Sequence, residues 1–174
     1  MAPSPHRTSV RRLGEADWEL LRDLRLASLA DSPEAFGSTL ERELEFDEAM
    51  WRSRCTTSAS FVVYVEGAPR GLVGAFPVPE REVPEGSEGS DSIDVVGMWV
   101  APEARRQGLG ALLMNEVIEL AREHRLREVT LWVAEGNGAA ASMYAGLGFE
   151  PTGTRDHLAA RSDRCQDQMR YRIR

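Results

Sequence analysis

Residues 98–111 read MWVAPEARRQGLGA. An apolar, strand-like run meets a proline, then two arginines, a glutamine and a Gly-Leu-Gly, and a helical pattern begins at once. Two readings are open: a tight strand-to-helix turn, or a cradle for a phosphate. The cradle has a physical basis, because the first turn of a helix presents free backbone N–H groups and a positive partial charge. Gly108 and Gly110 lack Cβ atoms, so a phosphate can approach the backbone there. Arg105 and Arg106 add charge and donors suited to a pyrophosphate.

The two familiar nucleotide loops do not fit this stretch. A P-loop needs Lys and Ser or Thr after its last glycine, and here Ala111 and Leu112 follow Gly110. A dinucleotide fingerprint needs a third glycine at 113, which is leucine. It also wants an acidic residue at the end of the next strand, and Glu135 supports that weakly.

Outward from the loop, the pattern is that of an α+β chain. VRRL (10–13) suits a first strand, and residues 15–31 carry Trp18, Leu20, Leu21, Leu24 and Ala27 at helical spacing. Pro33 disfavours helix at Ser32. A second helical stretch lies in 39–54, with Leu40, Leu44, Met50 and Trp51 expected inward. FVVYVEG (61–67) and PRGLVGAFPV (69–78) read as a hairpin. Residues 79–92, rich in Pro, Gly, Ser and acidic side chains, read as a solvated, mobile loop. A strand over 93–100, an amphipathic helix over 109–124, a strand over 128–133 and a short helix over 137–149 follow. MRYRIR (169–174) alternates with period two, as a half-buried strand does. The order β-α-α-β-β-β-α-β-α-β-β points to a mixed sheet with helices packed on it. We expect a flexible tail over 1–9 and a single domain over 10–174.

The bulk numbers narrow the partners. The chain has 174 residues, 42% hydrophobic and 28% charged, an ordinary globular composition. A net charge of -7 disfavours nucleic acid and anionic membranes. No apolar run approaches the ~20 residues of a membrane span, and MAPSPHRTS has no apolar leader core. Cys55 and Cys165 are far apart and form no CxxC, which argues against a disulfide framework or a cysteine-based metal site. A cytoplasmic protein without a metal is the expectation.

Arg105-x-x-Gly108-x-Gly110-Ala111, following Met98-Trp99-Val100, resembles the Q/R-x-x-G-x-G/A motif of the GNAT (GCN5-related) N-acetyltransferases. Asn137, seven residues before Tyr144, and then GLGF (146–149) resemble the family's second cofactor segment. The resemblance extends over nearly the whole chain. It implies the GNAT fold: a central, mostly antiparallel sheet of six to seven strands, splayed between strands 4 and 5 and flanked by about four helices.

It further implies acetyl-CoA as cosubstrate and acetyl transfer to a primary amine of a small molecule or peptide, in a ternary complex. By resemblance, Met98, Trp99 and Val100 would pair with the pantetheine arm as an added strand. Arg105, Arg106, Gln107, Gly108, Leu109, Gly110 and Ala111 would seat the pyrophosphate. Asn137, Ala140, Ser142 and Met143 would line the cofactor channel. Tyr144 would give a proton to the departing thiolate; a core aromatic is the other reading of that position. Asp94 stands at the spacing where family members carry a glutamate base, and a solvent-facing strand residue is its other reading. His124 reads as a helix C-terminal cap.

Acceptor contacts would come from residues 29–39 and parts of 153–168, with Phe36 and Ser38 as contacts; Phe36 equally suits a loop anchor. Homodimers are common in the family. The competing class is a non-catalytic acyl-CoA-binding regulatory module, which could dispense with Tyr144.

Overall fold

The structure, a computed structural model, describes residues 7–77, 91–158 and 161–174. The expected tail is therefore described only from Arg7, and nearly all of the acidic 79–92 loop lies outside the described residues.

The elements run β1 (Thr8–Arg12), α1 (Trp18–Asp31), α2 (Leu40–Leu44), α3 (Glu48–Thr57), β2 (Ala59–Val65), β3 (Ala68–Phe76), β4 (Ser92–Val100), α4 (Leu109–Glu123), β5 (Glu128–Ala134), α5 (Gly138–Gly146), β6 (Glu150–Leu158) and β7 (Arg161–Arg172). They match the expected order, with two boundary corrections. β1 begins at Thr8, inside the stretch assigned to the tail. The helical stretch over 39–54 is two helices, each with its own N-cap. Thr39 Oγ1 accepts from Arg42 N at 3.3 Å, and Asp47 Oδ1 accepts from Met50 N at 2.8 Å. The break resets the helical phase. Leu44 and Met50, expected inward, are 61% and 46% exposed, while Trp51 is buried. In α1, Ala27 is exposed and Ser28 takes the buried position.

Seven strands form one sheet in the order β1-β2-β3-β4-β5-β7-β6. Every neighbouring pair is antiparallel except β4 and β5. That parallel pair is short: Ser92, Ile93 and Asp94 face Glu128, Val129 and Thr130, and there the pairing ends. Beyond it the strands part into a fork. β4 stays on β3 as far as Val100, and β5 stays on β7 as far as Ala134.

A bulge marks the start of the open half of β4. Leu72 faces Trp99 and Gly74 faces Val96, so β4 carries an extra residue there. Gly97, with φ of 63°, sits in this bulge, in a backbone conformation costly to a residue with a Cβ.

Helices cover both sheet faces. α4 packs on β2 to β5 with Leu113, Val117 and Ala121 fully buried, as its spacing predicts. α1 and α3 pack on the opposite face, against β2, β3 and β4. The two sides differ in composition. The α4 side is apolar, whereas the α1 side buries the carboxylate of Glu43 between two guanidinia. Arg25 Nε and Nη2 donate to Glu43 at 3.1 and 2.9 Å, and Arg54 Nη1 donates at 2.6 Å. Burial pushes the Glu43 carboxyl up, but the two arginines outweigh it and hold the group below its ordinary range.

Candidate active site

The fork opens a cleft of about 510 Å³. β4 supplies one wall through Val95 and Gly97 to Val100, and β5 the other through Leu131 to Ala134. The loop into α4 and the inner face of α5 close the outer end, and Ala35 and Phe36 close the side toward α1.

The loop between β4 and α4 takes its shape from backbone conformation and one arginine. Arg106 and Gly108 both have positive φ, 62° and 77°, and α4 starts on Gly108 as its N-cap. Successive N–H groups in such a turn form the kind of concavity that holds anions. The arginines divide the work. Arg105 donates from Nε to the Val100 carbonyl at 2.9 Å and from Nη2 to Asp31, at the end of α1. Trp99 Nε1 donates to the same Asp31 carboxylate at 2.9 Å. Burial raises the Asp31 carboxyl, and hydrogen bonds from Ser32, Trp99 and Arg105 more than reverse that, leaving it below its ordinary range. Arg105 is thus a strut that pins the loop to α1. Arg106 is exposed and finds no partner among the described residues. Gln107 turns back toward the Glu103 carbonyl, 3.5 Å away, and does not line the cleft.

The two glycines act differently. A Cβ on Gly108 would meet nothing within 4 Å, so that position is open for a close approach. A Cβ on Gly110 would sit 2.7 Å from Met143 Sδ and 3.1 Å from Met98 Cε. Gly110 therefore lets α4, α5 and β4 converge, and its bareness serves packing rather than ligand approach.

Asn137 caps α5, its Oδ1 accepting from Ala140 N at 3.3 Å, and it also lines the cleft. Ala140, Met143 and Tyr144 face the cleft with it. Ser142, expected among them, faces the groove between α5 and β6 instead, because one helical turn puts 140, 143 and 144 on one side and 142 on the other.

The GLGF stretch has a mechanical meaning. Phe149 N donates to Tyr144 O at 3.0 Å, and Gly148 N donates to Ala145 O at 3.0 Å. With Gly148 at φ 98°, this is a Schellman cap, whose usual apolar contact is here the Tyr144–Phe149 ring pair at 5.8 Å. The cap fixes the ring that reaches the cleft. Tyr144 is buried, its hydroxyl has no partner among the described residues, and burial pushes the phenol above its ordinary value of 10.0.

Asp94 is at the vertex of the fork, one residue from the cleft-lining Val95 and on the opposite face of the sheet. It is exposed, and its carboxylate accepts from the Thr130 hydroxyl. Phe36 lines the cleft and stacks on the Arg25 guanidinium at 4.7 Å, so it is both wall and anchor. Ser38 lines neither the cleft nor the pocket beside it. The β5 wall, Leu131 to Ala134, had no signal in the motif, since only the fork makes it a wall. Among the described residues, no group of three or more His, Cys, Asp or Glu is placed to hold a metal, and no helix is long and apolar enough to cross a membrane.

Comparison with known proteins adds four observations. The family model described as the acetyltransferase (GNAT) family matches residues 20–149. An uncharacterized N-acetyltransferase of Methanocaldococcus jannaschii is 33% identical over 105 residues, which is 58% of this chain and 42% of that protein. The chain thus spans less than half the length of that curated relative. Among solved structures, an acetyltransferase of the GNAT family from Streptococcus pneumoniae aligns over 97% of this chain and 100% of its own, with TM-score 0.75 and 20% identity. A Salmonella typhimurium protein assigned as an acetyltransferase, solved with its cofactor acetyl-CoA, aligns over 97% and 95% with TM-score 0.72 and 15% identity. At these identities the structural likeness is one of fold.

Proposed function

This chain belongs to the acetyltransferase (GNAT) family, and we propose that it transfers an acetyl group from acetyl-CoA to a primary amine by direct attack in a ternary complex. The observation that carries this reading is the fork. It is a cleft between two strand edges with an anion-suited loop at one end and, in its wall, a tyrosine hydroxyl unpartnered among the described residues. An extended arm carrying an amide at intervals and a pyrophosphate at its end suits such a cleft. The arm pairs with the edge of β4, in the way a ligand augments a sheet. The pyrophosphate lies on the 106–111 amides, with Arg106, unpaired among the described residues, as its cation. Asn137, Ala140 and Met143 line the channel.

In the reaction the amine nitrogen bonds to the acyl carbon, the carbon–sulfur bond breaks, and the thiolate takes a proton from the Tyr144 hydroxyl. Desolvation raises the phenol, which keeps its proton in place until the thiolate leaves. Asp94, exposed at the vertex and held by Thr130, accepts the proton of the attacking amine through water.

A screen of amines, antibiotics and peptides, reading free CoA thiol, tests the activity, together with calorimetric titration of acetyl-CoA. Absence of acetyl-CoA binding overturns the reading. Tyr144→Phe is expected to lower kcat by about 10²-fold with acetyl-CoA affinity unchanged; an unchanged kcat across pH removes the acid role. Asp94→Asn should alter the pH–rate profile, and an unaltered one dismisses the base.

A further inference from the structure

On the α1 side of the sheet, directly behind the bulge of β4, lies a second pocket of about 100 Å³. Arg25, Arg54, Ser60, Gly74, Val96 and Gly97 surround it. Gly97 also lines the cleft, so one residue separates the two spaces. Phe36, stacked on Arg25, forms the cleft's wall beside it.

Charge in this pocket does not balance. Among the described residues, two guanidinia share the single carboxylate of Glu43, which leaves one positive charge over. Arg25 Nη1 is buried and, among the described residues, has no hydrogen-bond partner, and it lies 3.5 Å from where a Cβ on Gly97 would be. A buried N–H left unmade costs roughly 1–3 kcal/mol, more on a charged group, so such an atom normally has a partner. Ser60, nearly fully buried, adds a hydroxyl whose closest partner is the Ser58 hydroxyl, 3.4 Å away, long for such a bond. Negative charge stands on the same sheet face: Asp94 is two residues before Val96 on β4, roughly 7 Å along the strand. The face carries a cationic pocket and an anionic side chain near Gly97, which also lines the cleft.

We propose that this pocket takes a carboxylate of the acceptor, so that the acceptor is an amino-acid-like molecule with its amine and its carboxylate a few bonds apart. The carboxylate accepts from Arg25 Nη1 and the Ser60 hydroxyl, and the ammonium end lies toward Asp94 before it loses its proton. The volume suits a group of carboxylate size, so selectivity falls on the charge. This inference rests on the acetyltransferase reading above.

The test compares matched acceptors on the unaltered protein, reading CoA thiol: an amino acid against its primary amide, and an amino carboxylate against an alkylamine of equal length. The amide's amine is the less basic and more often neutral, so intrinsic reactivity works against the expected result. The carboxylate member should have a kcat/KM about tenfold or more above its partner, and Arg25→Lys should bring the pair toward parity. In a second measurement, a simple carboxylate should compete with the amino acid while its amide does not. If neutral partners react as well or better, the pocket is a water site and this inference falls while acetyl transfer stands. If no acceptor of either kind yields thiol, this inference falls, and calorimetric titration of acetyl-CoA decides the acetyltransferase reading.

Discussion

The α4 side of the fork is walled by backbone: strand edges, a loop with two left-handed residues, and helices brought close by Gly110. The α1 side is walled by side chains from distant points of the chain. Arg25 meets Glu43 and Arg54 there, Trp99 and Arg105 meet Asp31, and Thr130 meets Asp94. A group recognised by amides needs little from any one side chain, so that wall tolerates variation around a fixed loop geometry. A wall of buried ions depends on each partner, because removing one leaves the others desolvated and alone. The α4 half is therefore expected to be the more robust of the two, and the α1 half the more sensitive to substitution.

The largest predicted contrast is Glu43→Gln. Two guanidinia then lose their common carboxylate, and unfolding in urea should show a loss of about 3 kcal/mol. A loss below 1 kcal/mol would mean that the cluster is solvated and that the contrast between the halves is false. Next comes the pair of arginines. Arg105→Ala should lower both the thermal midpoint and acetyl-CoA affinity, since it removes the strut to Asp31 and Val100. Arg106→Ala should lower affinity alone, by about fivefold. Equal effects on stability would erase the division of labour.

How much of this was legible follows the same line. The loop, Asn137, Tyr144 and GLGF are contiguous and keep fixed spacing, so their pattern shows in the sequence. The apolar run of β4 and the spacing in α4 predict those elements with nearly their observed ends. The Arg25–Glu43–Arg54 cluster did not show, because a lone Arg on an amphipathic helix looks like any solvated charge until α2 and α3 fold over it. Leu44 and Met50 misled for a related reason: the cap at Asp47 restarts the helix, and the chain's apolar rhythm does not record the change of phase. β6, almost wholly exposed, has no apolar alternation to read. Its pairing with β7 supplies what its pattern lacks.

The smallest effect is expected in acid. Glu43 and Asp31 are held below their ordinary values, as is Asp17, which accepts from Arg11 and from Gly14 N. All three lie in the α1–α3 half. A depressed carboxyl contributes stability that is fully present above its unfolded value and lost as pH falls through its folded value. The loss should begin near the ordinary values of 4.5 and 3.8 and deepen below them. Amide hydrogen exchange should then show α1 and α3 losing protection before β4 and α4. The reverse order would contradict the assignment.

The short parallel pairing of β4 with β5 also bears on how the protein keeps to itself. Past Asp94 and Thr130 the two strands present facing edges, and an open edge is a template onto which a foreign strand can add. This template lies inside a cleft, with α5 and the α4 loop across its mouth, so an extended arm can enter where a second sheet cannot. The fork thereby separates hospitality to a slender ligand from the aggregation that the same backbone would invite on an outer rim.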